Sequence, residues 1–428
     1  MAFRRSPILR STLGAALVGA LLAGSGCLDA GDAPGGELTP AGPSATSPSP
    51  LRPLQFDDRG PDVHKVYDFL RRYGYFPNPA LAQFAGWRPV IAHELADPER
   101  FDEDLEQAVF LYQVAQGLPA DGTINAETAA MMAKPRCSFP DYYGTRQAAL
   151  AKNGAEFVAS GLRWQKNNIS YSFNNFTPDL SQDAVRNDVR GALNRWAGVT
   201  PLAFNEVGSG SGDMRIGFYS GDHGDGYPFD AQYGVLAHAF YPSDGRAHFD
   251  ESESWSDNGS GIDLASVAIH EFGHSIGLDH SPDGNAVMYA AYSKPRRDLT
   301  EDDLRGAKSI YGEKPIAWSS AGPLGGRFCT QITEGSDPDT WNDNYLCSTV
   351  DYGIRWSSAG AIGGMRCTQI TEGSEPASHT WNDNFLCVPT NSPLNFAWSS
   401  AGPIAGRTCT MWYEPADPHT WMDNFLCY

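Results

Sequence analysis

Apolar residues between positions 56 and 135 recur at spacings of three and four, which is the period of an amphipathic helix. Two long runs show this period, and a third, short helix is expected between the turn ADGTIN and Met132. The apolar positions of the long runs are Val63, Val66, Tyr67, Leu70 and Tyr73, then Leu105, Ala108, Val109 and Tyr112. The pattern predicts a small, separate domain of three helices.

Residues 160–313 mix two periods. The stretches ISYSF, MRIGFY and GVLAHAF predict strands, whereas DAVRNDVRGALNRWA and TEDDLRGAKSIYG predict amphipathic helices. A third helix is expected after Asp263, whose carboxylate can cap it. Its buried side is expected to carry Leu264, Val267, Ala268 and Phe272. The alternation predicts a domain that combines a sheet with helices.

The last part of the chain is an internal repeat. WSSAGPLGGRFCT, WSSAGAIGGMRCT and WSSAGPIAGRTCT open three units, and TWNDNYLC, TWNDNFLC and TWMDNFLC close them. Units of this length suit a three-lobed β fold, so residues 315–428 are predicted to form an all-β domain. One disulfide per unit is the simplest pairing, although six cysteines permit about fifteen connectivities. The cysteines are Cys329, Cys347, Cys367, Cys387, Cys409 and Cys427.

The N-terminal segment is typical of an export signal, because three arginines precede an apolar run from Leu13 to Ala23. The following GSGC resembles a bacterial lipobox, so residues 1–27 end either in a lipidated Cys27 or in a plain cleavage site. Residues 28–55 are rich in Pro, Gly and Ser and predict a flexible linker. The protein is therefore expected outside the cytoplasm, either secreted or held at the outer surface as a lipoprotein.

The chain is strongly acidic. Its 31 Lys and Arg residues stand against 51 Asp and Glu residues, which gives a net charge of −20. Phosphate binding needs a basic patch, and the sequence shows none, so we expect no nucleic-acid partner. The acidic excess instead suits an exported protein in which some carboxylates bind cations.

The segment HEFGHSIGLDH carries the chemistry of the mixed domain. On a helix His270 and His274 lie one turn apart and face the same way. Gly277 lets the chain leave the helix sharply, which brings His280 to the same ion. Three imidazoles hold zinc and leave a fourth position for water, as a catalytic site requires. Glu271 is expected to be the general base that accepts the proton of that water.

This motif, with Ser281 directly after it and Met288 eight residues further on, resembles the matrixin family of metzincin zinc endopeptidases. The resemblance extends over roughly residues 56–313. It implies a catalytic domain at 160–313 with a twisted mixed sheet and three helices, in which Met288 forms a turn beneath the zinc. It also implies protein or peptide substrates, bound along the edge strand VLAHAF. Ala290 stands where the family usually has proline, in the wall of the specificity pocket.

The same resemblance implies two further metal sites. The residues that match a structural zinc site are His223, Asp225, His238 and His248. The residues that match calcium ligands are Asp230, Asp250 and Glu253. Carboxylates suit a hard cation such as calcium. In this loop Ala231 and Tyr233 replace glycines of the family, so an altered loop is expected.

The motif PRCSFPD resembles the matrixin cysteine switch. By that resemblance Cys137 takes the fourth zinc position and silences the enzyme, while Arg136 and Asp141 form an ion pair that holds the segment. Residues 56–141 are then a prodomain, and their helices also resemble small peptidoglycan-binding modules. Ser138 replaces the usual glycine of the family, which restricts the backbone beside the metal.

Seven of the eleven tryptophans lie in the repeats. They either stabilise thin cores or form carbohydrate or surface sites together with the pairs Asp343–Asn344, Asp383–Asn384 and Asp423–Asn424. Taken together, the sequence predicts an α+β multidomain protein that is made as the zymogen of an extracellular zinc endopeptidase. The alternative is a lectin-like adhesin or peptidoglycan-binding surface protein whose protease domain is vestigial.

Overall fold

The computed structural model describes residues 51–84, 87–142, 160–259, 261–320, 322–333, 344–371, 383–412 and 424–428. The predicted export signal with Cys27, and residues 28–50 of the predicted linker, lie outside the described residues. Among the residues described, no helix is both long enough and apolar enough to span a membrane.

The N-terminal domain contains three α-helices at the positions that the apolar period predicts. They are α1 (Pro61–Arg72), α2 (Glu103–Ala115) and α3 (Ala126–Met132), with a 3-10 helix at Pro79–Gln83. The side chains of Asp102 and Asn125 cap α2 and α3 by accepting hydrogen bonds from backbone N–H groups of the first turn. Leu54 is buried and pairs with Ile124, so the packed chain begins before residue 56.

A six-stranded mixed sheet forms the centre of the second domain. Its strands are β1 (Arg136–Cys137), β2 (Asn168–Phe173), β3 (Ala203–Glu206), β4 (Met214–Tyr219), β5 (Val235–Ala239) and β6 (Arg246–Asp250). The order across the sheet is β1-β5-β6-β4-β2-β3, and only β5 and β6 are antiparallel neighbours. Because β1 precedes the catalytic region in sequence, the N-terminal domain contributes an edge strand to this sheet.

Three helices accompany the sheet, as the sequence predicts. They are α4 (Gln182–Val199), α5 (Leu264–Ser275) and α6 (Glu301–Tyr311). Two short strands, β7 (Trp255–Ser256) and β8 (Ile262–Asp263), lead into α5. The carboxylate of Asp263 caps α5 by accepting from Ser266 N. Every residue of α5 is buried, so its polar side chains lie inside the protein.

The C-terminal region forms three antiparallel sheets of three strands. The strands are β9 (Ile316–Ser319), β10 (Phe328–Ile332), β11 (Asn344–Ser348), β12 (Arg355–Ser357), β13 (Met365–Gln369), β14 (Phe385–Pro389), β15 (Ala397–Ser399), β16 (Cys409–Met411) and β17 (Phe425–Cys427). In each sheet the last strand in sequence lies in the middle. One disulfide crosses each sheet, and the pairs are Cys329–Cys347, Cys367–Cys387 and Cys409–Cys427.

Three threonine hydroxyls link the sheets into a closed ring. Thr330 Oγ1 donates to Ile354 O at 2.9 Å, and Thr368 Oγ1 donates to Phe396 O at 3.0 Å. Thr410 Oγ1 then donates to Ile316 O of the first sheet at 2.9 Å. The sheets share one hydrophobic core, in which the indole of Trp412 is completely buried.

The third sheet of this region packs against the mixed domain. Cys409, Phe425 and Cys427 are buried together with Ala203 of β3. At the junction between the two regions, the buried Lys314 donates from Nζ to Ala197 O at the end of α4, at 2.6 Å. The packing on Ala203 involves β3, the edge strand of the sheet opposite β1.

Candidate metal centre

Helix α5 and the turn after it bring three histidines together. His270 and His274 lie one turn apart, and their ring centroids are 4.9 Å from each other. The chain then turns at Gly277, which has φ 105°, and a Cβ there would lie 2.2 Å from Leu162 O. Only glycine fits this position. The turn places the ring of His280 4.8 Å from that of His274 and 5.3 Å from that of His270.

The outer nitrogens of the three rings each have an acceptor nearby. His270 Nδ1 lies 2.7 Å from Val287 O, and His274 Nδ1 lies 2.7 Å from Leu278 O. His280 Nδ1 lies 3.3 Å from Asp141 Oδ1 of the N-terminal domain. A carbonyl acceptor requires a protonated Nδ1, which leaves the lone pair on Nε2 for a metal. Burial lowers the pKa of His270 well below its ordinary value, so this ring is in the neutral form that binds metal.

The thiol of Cys137 completes this cluster. Its Sγ lies 3.6 Å from His274 Nε2, and one ligand atom from each of the four residues falls within 4.8 Å of the others. The Nε2 of His270 is buried and has no hydrogen-bond partner among the described residues. Burial, then the charge of Glu271, raises the pKa of the Cys137 thiol, so a thiolate here needs a cation beside it. Three imidazoles and one thiolate are the ligands of a tetrahedral zinc site.

Hydrogen bonds on both sides fix the strand that carries Cys137. On the side of β5, Arg136 N donates to Gly234 O at 2.9 Å and Ser138 N donates to Ala237 O at 3.0 Å. On the other side, Cys137 N donates to Ala290 O at 3.1 Å. Ser138 is not among the described residues with a positive φ, so the serine fits this path without the conformation that favours glycine.

The ion pair expected between Arg136 and Asp141 is present and fully buried. The Tyr75 hydroxyl donates to Asp141 Oδ2 at 3.0 Å, and the Arg136 guanidinium lies 3.9 Å from the centre of the Tyr73 ring. Although burial opposes the charge, the guanidinium and His280 hold the pKa of Asp141 well below its usual range. Phe139 stacks on the ring of His274 with a centroid distance of 4.2 Å. The N-terminal domain therefore covers the histidine cluster with both a sulfur atom and an aromatic ring.

Glu271 lies beside the cluster and is fully buried. Burial raises the pKa of its carboxyl group to about 8, and the neighbouring Cys137 thiol acts in the opposite direction. With the N-terminal domain over the site, this carboxyl therefore holds its proton more tightly than an exposed glutamate does.

Met288 lies beneath α5, as expected for the turn under the metal. A Cβ on Gly273 would come within 2.2 Å of Met288 Sδ, so the helix needs glycine here to approach the sulfur. Asp303 of α6 accepts from Val287 N at 3.0 Å and from Met288 N at 3.1 Å. Sequence reasoning missed Asp303 as a support of the site. The sequence signal that points to Asp303 is the stretch TEDD at the start of α6. There Asp303 also completes the capping box with Thr300.

A second cluster of three histidines and one aspartate lies where the loop before β5 meets strands β5 and β6. Asp225 Oδ2 lies 3.0 Å from His223 Nε2, 2.7 Å from His238 Nε2 and 2.9 Å from His248 Nδ1. Burial lowers the pKa of His238 to about 4 against the opposing effect of Asp225, which keeps that ring neutral. Three imidazoles around one carboxylate match a closed zinc site with no position for water.

The structure does not gather the three calcium candidates around one point as tightly as these two clusters. Asp230 Oδ2 lies 2.9 Å from Arg72 Nη1 of α1, and Glu253 Oε1 accepts from Tyr233 N at 2.6 Å. Asp250 and Glu253 each keep one buried carboxylate oxygen without a partner among the described residues. Burial, then Asp250 and Asp230, raises the pKa of Glu253 to about 7. Such buried carboxylates fit a cation.

The altered loop keeps the backbone shape that glycine would give. Ala231 has φ 73° and Tyr233 has φ 69°. Both residues therefore adopt the left-handed backbone conformation that glycine favours. These are the two positions at which this loop departs from the family pattern given above.

Comparisons with known proteins agree with this geometry. A matrixin family model matches residues 163–312, and a peptidoglycan-binding domain model matches residues 59–132. Metalloendoproteinase 4-MMP of Arabidopsis thaliana is 35% identical over 304 residues, which cover 66% of this chain and 83% of the relative. The chain belongs to the matrixin family.

Two human matrixins are also similar. Matrix metalloproteinase-25 is 38% identical over 59% of this chain and 46% of its own length. Neutrophil collagenase is 34% identical over 62% of this chain and 53% of its own length. This matrixin thus spans about half the length of these two relatives. The mixed α and β architecture, with a peptidoglycan-binding-like domain before the matrixin domain, is shared with the family models.

Proposed function

We propose that this matrixin is a zinc-dependent endopeptidase of extracellular proteins, made as a zymogen. The observation that carries the proposal is the placement of the Cys137 sulfur beside three histidines whose ring nitrogens converge. A thiol at this position supplies a fourth ligand and takes the place of water. The same residues without the thiol leave an open coordination position, which is the arrangement of a catalytic site.

The chemistry follows from the residues around that position. His270, His274 and His280 would hold zinc, which would supply Lewis acidity toward a substrate carbonyl and toward water. Glu271 accepts the proton of the attacking water and passes it to the leaving amide nitrogen. The edge of β5 offers backbone groups to an extended peptide once β1 is displaced, because β1 uses them in the latent form.

The prosegment is proposed to inhibit through three contacts that act together. The thiol lies at the metal position, Phe139 stacks on His274, and the Arg136–Asp141 pair is buried beneath Tyr73 and Tyr75. A buried ion pair is costly to break, because removing one partner leaves the other charge without compensation. Removal of the whole segment avoids that penalty, so proteolysis of the prodomain is the natural route to activity.

Two further cations are part of the proposal. Zinc held by His223, Asp225, His238 and His248 would fix the loop before β5 to β5 and β6. Calcium near Asp230, Asp250 and Glu253 would stabilise the same loop from its other side. Both sites are structural, since each lies away from the position that Cys137 marks.

We infer that the three C-terminal sheets are copies of one unit and that the described tryptophans serve their shared core. Trp318, Trp356 and Trp398 all contact the buried Trp412, with ring centroids 4.5, 6.0 and 5.1 Å away. Trp356 and Trp398 also donate from Nε1 to backbone carbonyls. The tryptophans of the closing motifs, with Asp343 and Asp423, lie outside the described residues. A carbohydrate or surface ligand there, and the adhesin alternative, stay predictions, as does lipidation of Cys27.

The proposal is tested by hydrolysis of casein by the purified full chain, before and after treatment with an organomercurial. We expect latent activity that appears on treatment, and none in a Glu271→Ala variant, which keeps the three histidines. Cys137→Ser is expected to be active without treatment. A treated, zinc-loaded wild-type chain that leaves casein intact would refute the peptidase and favour the adhesin alternative.

A further inference from the structure

The short backbone segment 278–281, which follows the turn at Gly277, bears on two of the three histidines. Leu278 O lies 2.7 Å from His274 Nδ1. Two residues later in the same segment, His280 itself enters the cluster. Because both groups lie on one stretch of backbone, a shift of that stretch would move two imidazoles relative to the third. The contacts that hold this segment therefore decide the geometry of the cluster.

Ser281 holds the segment at its end. The residue is buried, and Ser281 N donates to Met288 O at 2.8 Å. Its hydroxyl donates to Asp302 Oδ2 of α6 at 2.6 Å and accepts from Asp283 N at 3.1 Å. Three hydrogen bonds to different parts of the chain thus fix the residue that directly follows His280.

Asp302 is a buried residue in the first turn of α6. Its Oδ1 lies 3.5 Å from Arg305 Nη2, which is nearly one turn further along the helix, while its Oδ2 accepts from the Ser281 hydroxyl. A hydrogen bond to a carboxylate is stronger than one between neutral groups. Helix α6 therefore grips Ser281 from the side, although it contributes none of the three histidines.

The next residue, Asp303, acts in the same way on a second segment. It accepts from Val287 N and Met288 N, and Val287 O in turn lies 2.7 Å from His270 Nδ1. Two neighbouring carboxylates of one helix turn thus each hold a backbone segment that orients part of the cluster. The arrangement indicates that the start of α6 serves the histidines as well as the fold.

We propose that Asp302 is a positioning residue of the metal centre, which acts on His280 through the hydroxyl of Ser281. This inference rests on the proposed zinc site and names a residue that sets its affinity without touching the metal. Outer partners of this kind keep a ligand in the direction that the metal requires, and their loss weakens metal binding about 10- to 100-fold. The competing explanation is that Asp302 stabilises the fold and has no effect on the metal.

The test measures zinc affinity and stability separately in the full chain. Competition with a chromophoric chelator gives the dissociation constant for zinc, and urea unfolding gives the stability of the metal-free chain. We expect Asp302→Ala and Ser281→Ala each to bind zinc about tenfold more weakly than wild type. The double variant should bind no more weakly than Ser281→Ala alone, because Asp302 then has no hydroxyl to hold.

Two further variants separate position from charge. In Asp302→Asn the amide oxygen still accepts from the Ser281 hydroxyl, so most of the zinc affinity lost in Asp302→Ala should return although the charge is removed. Glu301→Ala is the matched control, because Glu301 lies in the same turn of α6 and is exposed. It should bind zinc as wild type does.

Cobalt(II) in place of zinc gives a direct readout of geometry. The positions and intensities of its visible absorption bands depend on the number and arrangement of its ligands. We expect the spectrum of the cobalt-loaded full chain to change in Asp302→Ala and in Ser281→Ala, and to stay as in wild type in Glu301→Ala. A purely structural role of Asp302 would lower stability without moving these bands.

The zinc site and the role of Asp302 can fail separately. If Asp302→Ala keeps the zinc affinity and the cobalt spectrum of wild type, the positioning role is overturned and the zinc site stands. Equal zinc content in wild type and in His270→Ala would mean that the histidine cluster binds none, which overturns the proposed function itself. Should Asp302→Ala fail to fold, Ser281→Ala decides, because wild-type zinc affinity in that variant removes the route from Asp302 to His280.

Discussion

At the scale of single residues, the histidine cluster of α5 depends on two positions at which an added Cβ atom would not fit. Gly273 lets Met288 Sδ approach α5, and Gly277 lets the chain pass Leu162 O on its way to His280. Both glycines lie in the motif HEFGHSIGLDH, between the first and the last of its histidines. The spacing of the motif therefore encodes steric requirements as well as ligand positions.

Gly277→Ala should lower both stability and metal content. The added Cβ would lie 2.2 Å from Leu162 O at a φ that disfavours side chains, so we expect a loss of about 2 kcal/mol in the free energy of unfolding. Zinc bound per chain, measured by atomic absorption, should fall because His280 is displaced. Gly284→Ala is the control, since its Cβ would meet nothing within 4 Å. Equal zinc content in the two variants would contradict the requirement.

At the scale of elements, α1 of the N-terminal domain touches the loop of the calcium candidates. Arg72 Nη1 lies 2.9 Å from Asp230 Oδ2, and Arg72 Nη2 donates to Pro228 O at 3.1 Å. A guanidinium thus lies against a carboxylate that is expected to bind calcium. Docking of the prodomain and binding of the ion should therefore compete for Asp230.

Arg72→Gln should raise the calcium affinity of the full chain. The change removes the charge that neutralises Asp230, so we expect binding about fivefold tighter by isothermal titration calorimetry. Arg71→Gln is the matched control, because Arg71 lies 3.6 Å from Glu94 within the N-terminal domain. If both variants bind calcium as wild type does, the competition is absent.

The elements themselves were largely predictable, whereas several of their contacts were not. Helix α5, its cap at Asp263 and its two metal-facing histidines follow from spacings within one segment. The contact between Arg72 and Asp230 joins residues 158 positions apart, and that between Trp164 Nε1 and Ser275 O spans 111. No local period encodes such pairs, because they arise only when separate elements pack. The same reason hid the contacts of Asp303 with the backbone of Val287 and Met288.

At the scale of the whole molecule, Lys314 joins the mixed domain to the C-terminal sheets. Its ammonium group is buried, and its carbonyl oxygen accepts from Arg327 Nη1 at 2.9 Å. Burial, then the charge of Arg327, lowers the pKa of Lys314 to about 7. The junction is therefore sensitive to pH in the physiological range.

Stability at this junction should rise with pH between about 7 and about 10.5, the folded and ordinary pKa values of Lys314. In that window the unfolded chain binds the proton that the folded chain has lost. Lys314→Met removes the effect, so the gain of wild type between pH 6 and pH 9 should exceed that of the variant by about 2 kcal/mol. Urea unfolding of both chains at the two pH values measures it. Parallel pH profiles would argue against a neutral buried lysine.

The threonine ring of the C-terminal sheets bears on how this region withstands other proteases. Thr330, Thr368 and Thr410 join each sheet to the next through side chains, and the last bond returns to the first sheet. A single cut in the connection at residues 349–353 removes one covalent link but none of these three bonds. The disulfides lie within the sheets and are also untouched. A nicked chain would thus remain assembled as two fragments.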